Sequence, residues 1–256
     1  FYNIVAVHEM AHQWWGHLVG WKTYHDQWLS EGFAEFSASL FLRQFEPQKL
    51  DSFWDLKRKW LLSNNSQGHR PVDVGPIWLG AQLPAYLESD LYQTLIYGKG
   101  AYVLEMLRAV MYNQELKNPN EPFFAMMRDF VSTYAGKNAS TSNFQRIVEK
   151  HTGQRMDWFF NEWVYGTEIP HYEYKYELKN LGGGKTELAL TVTQSGVSNA
   201  FQMGVPIDVF VKGQPRQIGM ATLKGSETIN GKIELGFRPE KVELNAENSI
   251  LCTIEH

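Results

Sequence analysis

The segment His8-Glu9-Met10-Ala11-His12 sets two imidazoles four residues apart with a carboxylate between them. On a helix, four residues turn the chain by about 400° and advance it by about 6 Å, so both rings share one face within reach of one ion. Such a pair grips zinc, and Glu9 then stands beside the metal's water as a candidate general base. The chemistry implied is hydrolysis. A zinc hydrolase site usually takes three protein ligands and leaves a fourth position for water. Glu31 is the candidate for the third. It follows His12 after eighteen residues, within Trp28-Leu29-Ser30-Glu31-Gly32-Phe33-Ala34-Glu35-Phe36. That run reads as the start of a second helix, and a helix, a turn and an antiparallel helix can bring Glu31 against the histidine pair. Glu35 lies one turn further along the same face, so spacing alone leaves a choice between the two carboxylates. A supporting or solvated role is the other reading of Glu35.

Positioning these groups requires a helical scaffold, and apolar periodicity supplies one. The zinc helix is predicted over about 2–18, the Glu31 helix over about 28–43, and a third over 47–62. Ala101, Leu104, Leu107 and Met111 repeat at helical spacing, as do Phe144, Ile147 and Val148 behind Ser142, a plausible cap. The Met and aromatic residues on these faces are expected in the core. Residues 64–84, rich in Gly, Pro and Asn, read as a loop that either borders an active cleft or merely connects helices. From His171 the period falls to two: Tyr172, Tyr174, Tyr176 and Leu178 alternate with polar residues, and Gly182-Gly183-Gly184 turns the chain into Leu188, Leu190 and Val192. Val205 to Val211 predicts another strand, Gly213-Gln214-Pro215 a break, and further short strands are expected near 218–223, 232–237 and 242–244. About seven strands suggest a β-sandwich. The fold class expected is α+β in two domains, residues 1–168 helical and 169–256 all-β, with the boundary near Gly166 to Pro170.

Composition narrows the partners. A net charge of −4, with Lys and Arg spread through both halves, offers no tract for nucleic acid and no polybasic face for a membrane. No run of eighteen apolar residues provides a direct membrane segment. The sole cysteine, Cys252, cannot form an intrachain disulfide and reads as a buried strand position. The chain opens at Phe1 and reaches the histidine motif after seven residues, so it reads as a piece of a longer protein whose localisation and oligomeric state stay open.

Three ordered motifs, HEMAHQWWGHLVGW, DQWLSEGFAEF and Tyr97-Gly98-Lys99-Gly100-Ala101, resemble the membrane alanyl aminopeptidase-like gluzincin family of zinc metallopeptidases. The resemblance implies a thermolysin-like helical catalytic lobe followed by a β-sandwich, with peptides as substrates. It implies one zinc ion held by His8, His12 and Glu31, with Glu9 as general base and Tyr97 as the tyrosine that stabilises the transition state. Ser30 replaces the Asn common before the glutamate, and His17 stands where Asn is common after Trp-Gly; neither change touches a ligand. The family's clamp for a substrate amino group, a Gly-x-Met-Glu-Asn segment, is absent from this chain. The expectation is therefore release of amino-terminal residues by the parent protein, with weak or no turnover by this piece. A noncatalytic peptide-binding module and a gluzincin endopeptidase are the alternatives, and the intact Glu9 argues against the first. His25 beside Asp26 is a candidate support for the site. Trp14 and Trp15 are expected to divide between core and cleft wall, and the remaining histidines have no ligand-spaced partners.

Overall fold

Helix α1 spans Tyr2–Ala11 in the computed structural model, which describes residues 2–65, 68–83 and 90–256. It ends well short of the expected Leu18. Beyond Ala11 the turns widen, with the His17, Leu18 and Val19 N–H groups donating back to the His12, Gln13 and Trp14 carbonyls, and within this stretch Gly16 adopts φ +109°, where a Cβ would meet Ser30 Oγ at 2.7 Å. Only glycine enters this turn without strain. The turn delivers β1 (Val19–Trp21), which pairs in parallel with β2 (Lys137–Ala139), a long-range ladder that no local pattern signals.

Helix α2 (Trp28–Phe45) runs two residues beyond the expected end and buries Phe33, Ala34, Phe36, Ala38 and Leu42. Phe33 meets Phe130 of α6 (Glu121–Tyr134) and Phe144 of α7 (Thr141–Thr152), with ring centroids 5.8 and 5.1 Å away. Three fully buried phenylalanines at these separations form the aromatic core under α2. The cap of α7 is Ser140 rather than Ser142. Ser140 Oγ accepts from the Asn143 backbone N–H while Asn143 Oδ1 accepts from the Ser140 N–H, and this reciprocal box leaves Ser142 inside the first turn.

The third expected helix divides into one 3₁₀ turn, Pro47–Lys49, and α3 (Leu50–Leu62). Residues 64–84, expected as a loop, carry the single turn α4 (Pro71–Val74) and the 3₁₀ segment Ile77–Gln82; Ser66, Gln67 and Pro84 lie outside the described residues. A π-helix, Gln93–Lys99, then runs straight into α5 (Gly100–Val110). It lies against α2 where two glycines meet: a Cβ on Gly32 would come within 2.8 Å of Gly100 Cα. This close crossing sets the π-helix beside the first turn of α2, which carries Glu31. Helix α8 (Asp157–Trp163) closes the helical unit, Phe1–Thr167. Among the described residues no helix is long and apolar enough to cross a membrane.

The second unit, Glu168–His256, is all-β. Strands β3 (His171–Gly182) and β4 (Lys185–Ser195) form the hairpin expected at the triple glycine, and β7 (Thr228–Leu235) and β9 (Thr253–Glu255) complete a sheet of order β7-β4-β3-β9. The other sheet, β6-β5-β8, holds β5 (Gln202–Val211), β6 (Gln214–Lys224) and β8 (Val242–Leu244). Alternation places Tyr172, Tyr174, Leu188, Leu190 and Val192 inside, and the Tyr174 hydroxyl donates to the Val242 carbonyl across the two sheets. The expected break at 213–215 is tighter than predicted. Lys212 and Gly213 both take positive φ, so the turn is complete before Gln214 and Pro215, which already belong to β6. Cys252 is buried just ahead of β9.

Candidate metal centre

His8 and Glu9 lie on α1 and His12 on the residue after it, still close enough to helical geometry that the two Nε2 atoms are 3.1 Å apart. Glu31, in the first turn of α2, brings its Oε2 to 3.4 Å from His8 Nε2 and 3.2 Å from His12 Nε2. Ligands held at about 2.0–2.1 Å on a tetrahedral zinc are about 3.3 Å from one another, so the three atoms form a face of the right size. Glu31 Oε2 is buried and has no hydrogen-bond partner. Three converging lone pairs, one on an orphaned carboxylate oxygen, fit a divalent cation better than they fit one another.

The far nitrogen of each imidazole is tied down. His12 Nδ1 lies 2.8 Å from the Trp15 carbonyl and so carries the proton, and Ser30 Oγ, which also donates to Trp15 O, lies 3.2 Å from the same nitrogen. Ser30 thus braces the turn that follows His12. His8 Nδ1 is 2.8 Å from Glu35 Oε2. These contacts leave both Nε2 atoms free to act as ligands. The second carboxylate on the Glu31 face therefore sits behind His8 rather than beside its Nε2. Its other oxygen, Oε1, is paired with Lys57 of α3.

The electrostatics favour positive charge at the centre. Burial alone would lower the His8 imidazole, but the neighbouring carboxylates of Glu31 and Glu35 outweigh it and raise the pKa to about 9. That value belongs to the metal-free site: a ligand imidazole is neutral, so a bound cation would take the place of the proton on His8 Nε2. Burial would raise Glu35, yet His8 and Lys57 hold it down at about 2. Glu31 is likewise lowered against burial by His8, His12 and Tyr97.

Tyr97 projects from the π-helix with its ring stacked on His8, centroids 5.4 Å apart and planes 4° from parallel. Burial first, then the Glu31 charge and hydrogen bond, push its phenol well above the ordinary range, so the hydroxyl keeps its proton. Tyr92 donates to Gln27 Oε1 at 3.0 Å and is pushed up to about 12 by burial and by Glu31. Glu9 is exposed and opens onto a cleft of about 840 Å³, whose walls include Val5, Phe53, Trp60, Asn64 and Tyr97. The segment read as a possible cleft border thus contributes Asn64, Asn65 and Pro71.

The other candidates fall elsewhere. His25 stacks on Trp78 at 3.7 Å and its Nδ1 lies 2.6 Å from the Trp78 carbonyl, so it does not join the centre. His17 is exposed. Trp15 is core, with its indole N–H donating to Ser37 Oγ, whereas Trp14 is exposed and does not line the cleft as expected. Lys57 and Tyr92 went unread in the sequence because neither belongs to a local motif. Their contacts depend on how α3 and the π-helix pack.

A model of the peptidase family M1 domain matches residues 2–163, and the chain belongs to that family. Membership implies zinc, which the donor set fits. Among similar proteins, Probable aminopeptidase 2 of Sulfurisphaera tokodaii is 28% identical over 163 residues, covering 62% of this chain and 19% of its own length. Glutamyl aminopeptidase of Rattus norvegicus is 26% identical over 257 residues, covering 96% of this chain and 24% of its own. The fold matches a solved structure of aminopeptidase A from Legionella pneumophila in complex with aspartic acid. That match has a TM-score of 0.70 at 18% identity over 99% of this chain and 27% of the other. The chain therefore spans about a fifth to a quarter of the length of these relatives.

Proposed function

We propose that this chain carries the zinc-binding and hydrolytic part of a peptidase, and that the longer protein removes amino-terminal residues from peptides. The observation that carries the reading is the convergence of His8 Nε2, His12 Nε2 and Glu31 Oε2, with His8, Glu9 and Tyr97 lining one cleft. His8, His12 and Glu31 are the proposed ligands of a single ion. Zinc, when bound, supplies a Lewis acid that lowers the pKa of water toward about 7 and polarises a carbonyl. Glu9 takes the proton of the attacking water and returns it to the leaving amine, so one carboxylate serves as base and then acid. Tyr97 donates its retained proton as a hydrogen bond to the carbonyl oxygen while negative charge grows there. That hydroxyl does most where the charge is largest, so it favours the transition state over the planar amide. Residues 1–168 form the catalytic lobe in this reading, and 169–256 a separate β-sandwich domain.

The names of the relatives support an aminopeptidase. The test is zinc stoichiometry together with hydrolysis of free and amino-blocked peptides, in this chain and in the longer protein, with Glu9→Gln as control. One zinc per chain and a Glu9-dependent preference for free amino termini in the longer protein are expected. Glu9-dependent cleavage of blocked peptides would instead mark an endopeptidase. Zinc binding without any Glu9-dependent hydrolysis in either protein would reduce the site to a binding module.

A further inference from the structure

We propose that Lys57 is a positioning residue for the metal centre, acting through Glu35 to fix the ring of His8. The inference rests on the ligand assignment above. Lys57 lies on α3, a helix that makes no direct contribution to the ligand set, yet its ammonium pairs with Glu35 Oε1 while Glu35 Oε2 accepts from His8 Nδ1 at 2.8 Å. Both oxygens of one buried carboxylate are thus spoken for, one by the metal-centre histidine and one by the cleft wall. A carboxylate with only one partner can rotate about its terminal torsion, which is broad and shallow. Two partners on opposite oxygens define its plane, and that plane sets the direction from which His8 Nδ1 donates.

Lys57 is itself held. Its ammonium lies 5.2 Å from the Phe53 ring centroid and 5.6 Å from that of Trp60, and its side chain is only 13% exposed. Two aromatic faces and one carboxylate leave a lysine that would ordinarily sample many rotamers with few to choose from. Lys57, Phe53, Trp60 and Glu35 all line the cleft that also contains His8, Glu9 and Tyr97. The relay Lys57 to Glu35 to His8 therefore runs from the cleft wall to the proposed ion, and whatever shifts α3 shifts the aim of a ligand.

The test measures zinc affinity by competition with a chelator, in the full chain, with hydrolysis as a second readout. Partners behind a metal-bound histidine typically contribute about 10–100-fold in metal affinity. Lys57→Met is expected to weaken zinc by about tenfold, Lys57→Arg to recover most of that loss, and Lys57→Met to cost almost nothing further in a Glu35→Gln background. Circular dichroism and melting of the chelated proteins separate this from unfolding, since all four variants should keep the helical unit intact. In cobalt-substituted protein, Lys57→Met should also shift the visible ligand-field bands. Unchanged zinc affinity in Lys57→Met overturns the inference, as does an equal loss with and without Glu35. A wild-type chain that binds no zinc overturns the ligand assignment and this inference with it; normal wild-type binding with an indifferent Lys57 overturns the inference alone.

Discussion

The glycine crossing behind Glu31 gives a test in which a single methyl group should separate stability from catalysis. In Gly32→Ala the new Cβ would lie 2.8 Å from both Gly100 Cα and Gly100 C, and 3.3 Å from the Ala101 nitrogen. All three are backbone atoms, so no side chain can swing aside. Ordinary contact starts at 3.4 Å, which leaves 3.4 − 2.8, or 0.6 Å, as the smallest separation α2 and α5 must gain. Overpacking of this kind costs about 1–3 kcal/mol, while replacing glycine by alanine inside a helix returns about 1 kcal/mol. The net destabilisation is therefore about 0–2 kcal/mol, and the protein should fold. The geometry of the site should fare worse. Tyr97 is three residues before Gly100 on one continuous helical run, and Glu31 adjoins Gly32, so the shift opens directly between the tyrosine and the proposed ligand face. A displacement near 1 Å can cost about 100-fold in rate, and about 10–100-fold in kcat is expected here. The assay is steady-state hydrolysis of a peptide substrate by zinc-loaded longer protein, beside its melting temperature and its zinc content. In a Tyr97→Phe background the same substitution should cost several-fold less, because the hydroxyl it displaces is already gone. A kcat within twofold of wild type, or a loss that disappears when zinc is saturated, would refute this account.

Tyr97→Phe alone should lower kcat by about 100- to 1,000-fold, the usual effect of removing one donor to a developing oxyanion. Zinc content and KM should change little, a pattern that steady-state kinetics and metal analysis would check together. Asp208 of β5 gives a pH prediction for the all-β unit. Burial, opposed by the Ala246 N–H and reinforced by Glu247 and Glu243, raises its carboxyl from 3.8 to about 6. The folded state then binds the proton more tightly than the unfolded state does, so this group's contribution is full below about pH 4, falls as pH climbs through 6, and is flat above. The difference of about 2 pH units corresponds to about 3 kcal/mol lost by pH 7.5. Asp208→Asn keeps an acceptor for the Ala246 N–H and carries no charge, so it should raise the urea midpoint at pH 7.5 and barely move it at pH 4. A variant less stable than wild type at pH 7.5 would show that the carboxylate is favoured in the fold.

Residue spacing made the site legible where one helical turn does the positioning, and obscure where two distant elements share the work. His8 and His12 needed only the pitch of a helix to meet, and the alternation from Tyr172 to Leu178 needed only the pleat of a strand. Glu31 and Glu35 were different. Four residues apart, they share one face of α2, so periodicity treats them alike, and what distinguishes them is which side of the His8 ring each one reaches: Nε2 for Glu31, Nδ1 for Glu35. That depends on the crossing of α1 and α2, which in turn depends on Gly16 taking φ +109° against Ser30, a contact between residues fourteen positions apart. The same turn follows the end of α1 at Ala11. Its only trace in the sequence is one glycine, and a single glycine inside an apolar pattern is compatible with a continued helix. Lys57 lies further still from local inference. On α3 it belongs to no local motif, and nothing within a few turns marks it out. It gains a role only because α3 packs where a buried carboxylate has one oxygen left to satisfy. Chemistry carried by short motifs can thus be read before folding, whereas the groups that aim it come from whichever helices the core happens to bring alongside. Substitutions on those helices should retune such a centre while leaving every motif residue unchanged.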